Sequence, residues 1–221
     1  MSTVLATFFF PKCGACLEPV NALSFLCYRC GRRIFKQGNK APNQFLLPYD
    51  KGTRCLIRGI RRDAIETSTE CFLRILKRNG WIEHWCDLEV DCVVWAPTSA
   101  PILGFTILGK KIAKELDAQW LHSPLEKIKN SFQHGLSRSQ RMNTPGMAVL
   151  NVRRQERIRG KKILLLDDVV TTGTTLEYSA YLLRKAGARS VQTFALSKQL
   201  LVLPQQKLNT ETLGSCGAST Q

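Results

Sequence analysis

Two groups of residues in this 221-residue chain have the types and the spacing to do chemistry. The first reads "CGACLEPVNALSFLCYRC": Cys13-x-x-Cys16 and Cys27-x-x-Cys30, two Cys-x-x-Cys pairs ten residues apart. Each pair can form a tight knuckle that aims two thiolates at one point. Two knuckles complete the closed tetrahedral shell that structural zinc prefers, with no open position left for catalysis. A single pair would fit a redox site, but no strand–helix context of the thioredoxin kind surrounds either one. Four unligated thiols would instead leave about forty residues almost without a core of their own.

The second group is "ILLLDDVVTTGTTL", Ile163 to Leu176, in which an apolar run meets two adjacent carboxylates and then a threonine-rich loop around Gly173. Asp167 and Asp168 cannot hold a phosphate, because like charges repel. They can accept hydrogen bonds from vicinal hydroxyls, as a ribose presents. The loop that follows Val169, from Thr171 through Thr172, Gly173 and Thr174 to Thr175, can turn its backbone N–H groups on one point, where a helix dipole favours an anion. Gly173 permits a positive φ or a close approach, and the hydroxyls add donors. The stretch therefore offers an acidic grip for a sugar and an amide cradle for its phosphate. An ordinary capped strand end accounts for one aspartate, but poorly for two followed by this loop.

Such a site needs a frame. "DCVVWAP", Asp91–Pro97, reads as a short buried strand stopped by proline. "KILLLDD" reads as a second strand, its continuous apolar run suiting a parallel sheet covered on both faces. "SVQTFALSK" is a third. Between them, "FTILGKKIAKELDA" (Phe105–Ala118) and "TLEYSAYLLRKAGA" carry helical spacing, and so does Thr53 to about Leu76. Strands alternating with helices predict an α/β fold with an open, mainly parallel sheet. Ligands in such sheets bind beyond the carboxyl ends of the strands, where the aspartates lie. The expected organisation is a four-cysteine module over residues 1–40, a linker over 41–52 ("APNQFLLPYDKG"), the α/β domain over 53–200, and a flexible tail over 201–221.

Composition bounds the rest. At 44% hydrophobic residues the chain can bury one full core. No apolar run is long enough to span a membrane, and no cationic segment precedes "VLATFFF" as a secretory signal requires, so a cytoplasmic protein is expected. Of the five cysteines scattered outside the cluster, Cys55, Cys71 and Cys92 sit in apolar surroundings that fit reduced core positions, and a disulfide framework is not expected. The net charge is +15. From Lys127 to Lys162 ten basic residues face one acid, Glu156. Arg141, Arg153, Arg154, Arg157, Arg159 and Lys161 form a stripe suited to a polyanion, whether nucleic acid or a phosphate-rich ligand. Tyr28, Arg29, Arg32, Arg33 and Lys36 add basic and aromatic contacts for a single strand. The three histidines have no metal-like partner in sequence.

"LLLDDVVTTGTTL" resembles the phosphoribosyl pyrophosphate (PRPP) binding motif of type I phosphoribosyltransferases. The wider pattern resembles the ComF family, competence-associated proteins with an N-terminal four-cysteine zinc module and a domain of that fold. "RCLIRGIRRDA" resembles its basic helical segment, and "QHGLSRSQRMN" matches its Gln-x-x-Leu…Arg-x-Asn segment at Gln133, Leu136, Arg141 and Asn143. The resemblance implies a type I phosphoribosyltransferase sheet and recognition of PRPP with magnesium. Asp167 and Asp168 would meet the ribose hydroxyls, Thr171 to Thr175 the 5′-phosphate, and Ala96, Pro97 and Thr98 the pyrophosphate.

The chain also departs from the family. Trp95 stands where a proline is usual, and Leu103, Thr106 and Ile107 replace Arg, Asn and Gln of an Arg-Gly-Phe-Asn-Gln run. The missing arginine removes a charge that would stabilise departing pyrophosphate; Lys110 or Lys111 is a candidate substitute. Two functions follow. One is a phosphoribosyltransferase acting in nucleotide metabolism or natural transformation. The other is a catalytically silent scaffold or sensor that binds single-stranded DNA and DNA-processing proteins. A third motif, "GFTILGKK" at Gly104–Lys111, nearly satisfies the P-loop of a nucleotide hydrolase but lacks the hydroxyl residue after its lysine.

Overall fold

The computed structural model describes residues 12–13, 16–20, 26–42, 44–62, 65–98, 102–122, 124–127, 148–150 and 152–199. Its centre is one open five-stranded sheet, parallel throughout. The spatial order is β1 (Phe45–Pro48), β7 (Ser190–Lys198), β6 (Lys162–Val170), β2 (Cys92–Trp95) and β3 (Gln119–Leu121). A separate antiparallel pair is formed by β4 (Leu125–Lys127) and β5 (Ala148–Leu150). The helices are α1 (Tyr28–Gln37), α2 (Lys51–Arg61), α3 (Ile65–Arg78), α4 (Trp81–Asp87), α5 (Leu103–Glu115) and α6 (Thr174–Lys185).

Strand β6 sits inside the sheet, and the period of two divides its side chains between two cores. Leu164 and Leu166 join Val93, Trp95, Phe194 and Leu196 beneath α2 to α5. On the other face Ile163 and Leu165 join Cys92, Val94 and Val191 beneath Leu176, Ala180 and Leu183 of α6. This two-sided burial is why the strand reads as an unbroken apolar run. Trp81 and Trp85 close the first core against Phe194, with ring centroids 4.4 and 5.0 Å away.

Three expectations change. The stretch read as a linker supplies an edge strand: Phe45 pairs with Ala195 and Leu47 with Ser197, and Leu46 and Leu47 are fully buried. The free edge of β7 gives this short apolar segment its partner. The single helical stretch from Thr53 to Leu76 is two helices. Asp50 caps α2 by accepting from the Thr53 N–H at 2.8 Å, and Arg62 leaves helical geometry at the far end. The five-residue step from Ile60 to Ile65 breaks the i, i+3/i+4 pattern there. The four-cysteine segment, finally, shares the main core, because Cys13 and Ile34 are buried within it. Trp81 donates its indole N–H to the Asn39 carbonyl at 2.8 Å, and Arg33 pairs with Asp50 at 3.0 Å. Residues 201–221 and the Gln133–Asn143 segment, with Arg141, lie outside the described residues.

Candidate functional site

The residue spacing at Cys13, Cys16, Cys27 and Cys30 becomes a cluster in space: their sulfurs all lie within 4.8 Å of one another. Four ligands at about 2.3 Å around one zinc ion stand roughly 3.8 Å apart, so the donor set fits a closed tetrahedral site. Cys16 and Cys27 are already at 3.6 Å. The first turn of α1 supports the second knuckle, with Cys27 as its N-cap accepting from the Cys30 N–H at 3.5 Å.

At the other candidate site the strand does not stop at the aspartates. It continues to Val170, and only then turns into the loop before α6. Gly173 takes a left-handed conformation, φ 88° and ψ −10°, at the N-cap of α6, with no side-chain cap on the helix. A φ of this sign strains any residue with a Cβ, which accounts for glycine in the middle of the threonines. Thr171 and Thr172 are exposed, and the hydroxyls of Thr172 and Thr174 are 2.9 Å apart. Asp167, Val169 and the whole Thr171–Thr175 loop line one small recess. The loop's outer side borders a larger groove of about 590 Å³, which reaches Gln44, Phe45, Thr193, Glu177 and Lys198.

The two carboxylates stay neighbours but have different surroundings. Asp167, in register with Ala195 and Phe45, lines the recess with the loop. Asp168 is buried and accepts from Nη2 of Arg61 at the end of α2. That guanidinium also lies over the Phe105 ring, 5.6 Å from its centroid, and Phe105 stacks on Trp95 at 4.6 Å with planes 8° apart. Burial first, and then the neighbouring charge of Asp168, push the Asp167 carboxyl up to about 7. One carboxylate oxygen of Asp167 accepts from the Asp168 N–H at 2.8 Å. The sequence pattern carried no sign of Arg61, whose partner is 107 residues away.

Ala96 follows β2 directly beside β6, donating its N–H to the Leu166 carbonyl at 2.7 Å. Pro97 and Thr98 continue past that strand end, half-buried. The described members of the basic stripe belong to the segment before the other end of β6. Arg157, Arg159 and Lys161 precede the amino end of β6, roughly 20 Å of strand away from Asp167. Arg153 and Arg154 fall in the 3₁₀ turn Val152–Arg157, before the same end. Lys111 is no substitute cation either, because it bridges Glu66, at 2.7 Å, and Glu70 of α3. The P-loop reading is overturned: Gly104 to Lys111 lies inside α5 and forms no phosphate-wrapping loop.

Residues 92–200 match the phosphoribosyl transferase domain model. Competence protein F of Haemophilus influenzae is 32% identical over 94 residues, which are 42% of this chain and 41% of that protein. Among solved structures, the purine phosphoribosyltransferase from Pyrococcus horikoshii matches 59% of this chain and 73% of its own at 16% identity, with a TM-score of 0.41. A Staphylococcus aureus hypoxanthine phosphoribosyltransferase matches 61% and 77% at 14% identity, also with a TM-score of 0.41.

Proposed function

We propose that this chain is a ComF-like protein with a phosphoribosyltransferase-type domain, and that the loop after β6 binds PRPP or a related ribose phosphate with magnesium. The observation that carries this reading is the shared recess. An acidic residue, Asp167, lines the same hollow as the Thr171–Thr175 loop, exposed at Thr171 and Thr172, at a helix start without a side-chain cap. Amides and hydroxyls of the loop take the 5′-phosphate, and Asp167 accepts from the ribose hydroxyls. The Ala96–Thr98 segment, beside the next strand tip, serves the pyrophosphate. Among the described residues only the four cysteines form a cluster of three or more metal-binding side chains. Magnesium would therefore be held mainly by the ligand's own phosphate oxygens and by water, as is usual for this cation, and would neutralise the leaving charge.

The groove beside the loop is the room available to an acceptor, with the Phe45 face for a planar ring and Lys198 and Glu177 for its polar edges. Calorimetric titration with Mg-PRPP, followed by pyrophosphate release against candidate bases, tests both steps. No heat of binding removes the reading, and binding without release leaves a ligand-holding protein for those acceptors. The cysteine cluster is proposed to hold structural zinc.

A second reading, a scaffold for single-stranded DNA and DNA-processing proteins, is favoured by α1. Tyr28 (78% exposed), Arg29, Arg32, Arg33 and Lys36 surround one hollow on its outer face. Arg32 lies over the Tyr28 ring at 5.9 Å. This is the combination of cations and a stacking surface that single strands use. A single-strand titration across salt concentrations tests it, and an affinity indifferent to salt removes it.

A further inference from the structure

We infer that Arg61, held by Asp168, is the cation this chain presents to the diphosphate of its ligand, in place of the arginine absent at Leu103. The inference rests on the PRPP reading and reassigns one of the two aspartates. Asp168 becomes a positioning residue rather than a contact for the sugar.

Three observations converge. Asp168 is not among the residues that line the loop recess, and its side chain is only 9% exposed, so it is poorly placed for a ribose that Asp167 and the threonines hold. Its partner Arg61 is 46% exposed. A guanidinium carries five N–H donors in a planar fork, and the described contact engages only one nitrogen, leaving the rest for an anion. The third observation is how α2 reaches this point. A Cβ on Gly104 would stand 2.2 Å from the Ile60 carbonyl oxygen, so the missing side chain lets the end of α2 dock on the first turn of α5. That docking sets Arg61 over Phe105, two residues from Leu103, whose own side chain is exposed and apolar. Trp95, stacked on Phe105, leads directly into Ala96–Thr98. The guanidinium is therefore anchored beside the strand tip proposed for pyrophosphate, while coming from a different helix.

A carboxylate below and a diphosphate above would be bridged by one cation, with no bond made or broken. Arginine suits this task better than lysine, since its fork can serve two planar anions at once.

Mg-PRPP and Mg–ribose 5-phosphate share the sugar and the 5′-phosphate and differ by the diphosphate, so the ratio of their affinities isolates the contact. The ratio is measured calorimetrically on the full chain for wild type, Arg61→Gln, Arg61→Lys, Asp168→Asn and the double variant Arg61→Gln/Asp168→Asn. Arg61→Gln is expected to lower the ratio by about tenfold or more, with ribose 5-phosphate affinity within about threefold of wild type. Arg61→Lys should fall between. Asp168→Asn should lower the ratio in the same sense, and the double variant no further than Arg61→Gln alone. If Arg61→Gln does not fold, Arg61→Lys and Asp168→Asn carry the test. An unchanged ratio, or tighter PRPP binding once the charge is gone, overturns the inference and leaves the loop site standing. A wild-type chain that binds neither ligand overturns the site itself.

Discussion

Replacing Asp167 by asparagine should stabilise the protein, and increasingly so as pH rises from about 4 to about 7. The folded chain holds this carboxyl at about 7 rather than 3.8, chiefly because it is buried and secondarily because Asp168 is charged beside it. Below pH 4 both folded and unfolded chains carry the proton. Between about 4 and about 7 only the folded chain does, so the contribution of Asp167 to stability falls as pH rises through that window and is flat above it. A shift of roughly three units at about 1.4 kcal/mol each sets a ceiling near 4 kcal/mol. Partial exposure and the hydrogen bond accepted from the Asp168 N–H relax it, so about 2 kcal/mol is expected at pH 8. For a chain of this size that is roughly 4–8 °C in Tm. Urea titrations of wild type and Asp167→Asn at pH 5, 6, 7 and 8 read the difference directly, because every group unaffected by the substitution cancels. Roughly a third of the difference should already be present at pH 5, and the gap should widen toward pH 8, with the variant the more stable. A gap that is the same at pH 5 and pH 8, or a variant less stable at pH 8, would refute the account of Asp167 as a buried acid next to a charge. The same variant should lose affinity for ribose 5-phosphate, which separates a strained binding residue from a merely unfavourable one.

The remaining predictions touch other parts of the chain. Cys13→Ser, or stripping the cysteine cluster with a chelator, should remove about one zinc per chain by mass spectrometry. Because Cys13 belongs to the main core, it should also lower a single thermal transition, by roughly 6–12 °C, rather than melt a separate module. Gly104→Ala forces a methyl against the Ile60 carbonyl and should cost about 3 kcal/mol in denaturant titration. Gly173→Ala, at φ 88°, should cost about 1–2 kcal/mol and weaken ribose 5-phosphate binding measured calorimetrically. If α1 holds a single strand, Tyr28→Ala should lose about 1–3 kcal/mol of affinity with the salt slope retained, and Arg32→Ala should reduce that slope by about 0.7 in a salt series.

The fold was legible wherever one segment's own pattern decides its state. The apolar run of β6, the proline-stopped β2 and the periodic α5 and α6 each carry that pattern locally, and the cysteine spacing carries the metal cluster in the same way. What escaped was set by partners distant in sequence. "FLLP" sits between prolines and reads as a connector until the open edge of β7 makes it a strand. The aspartate pair escaped for a subtler reason. Both carboxylates read as free to converge on one ligand, whereas Asp168 is buried against Arg61, 107 residues away in sequence, and Asp167 alone lines the recess with the loop. From that single geometric fact the rest of the site follows. Asp168 stands outside the residues lining the recess, and a carboxylate so little exposed requires a cation. The nearest helix end supplies Arg61, and Gly104 lets that end come close enough. The residues of the basic segment "RCLIRGIRRDA" thus divide by role. Its buried residues Leu56, Ile57 and Ile60 fix α2 against the core, and Arg61, one position further on, is the charge that this anchoring delivers to the site.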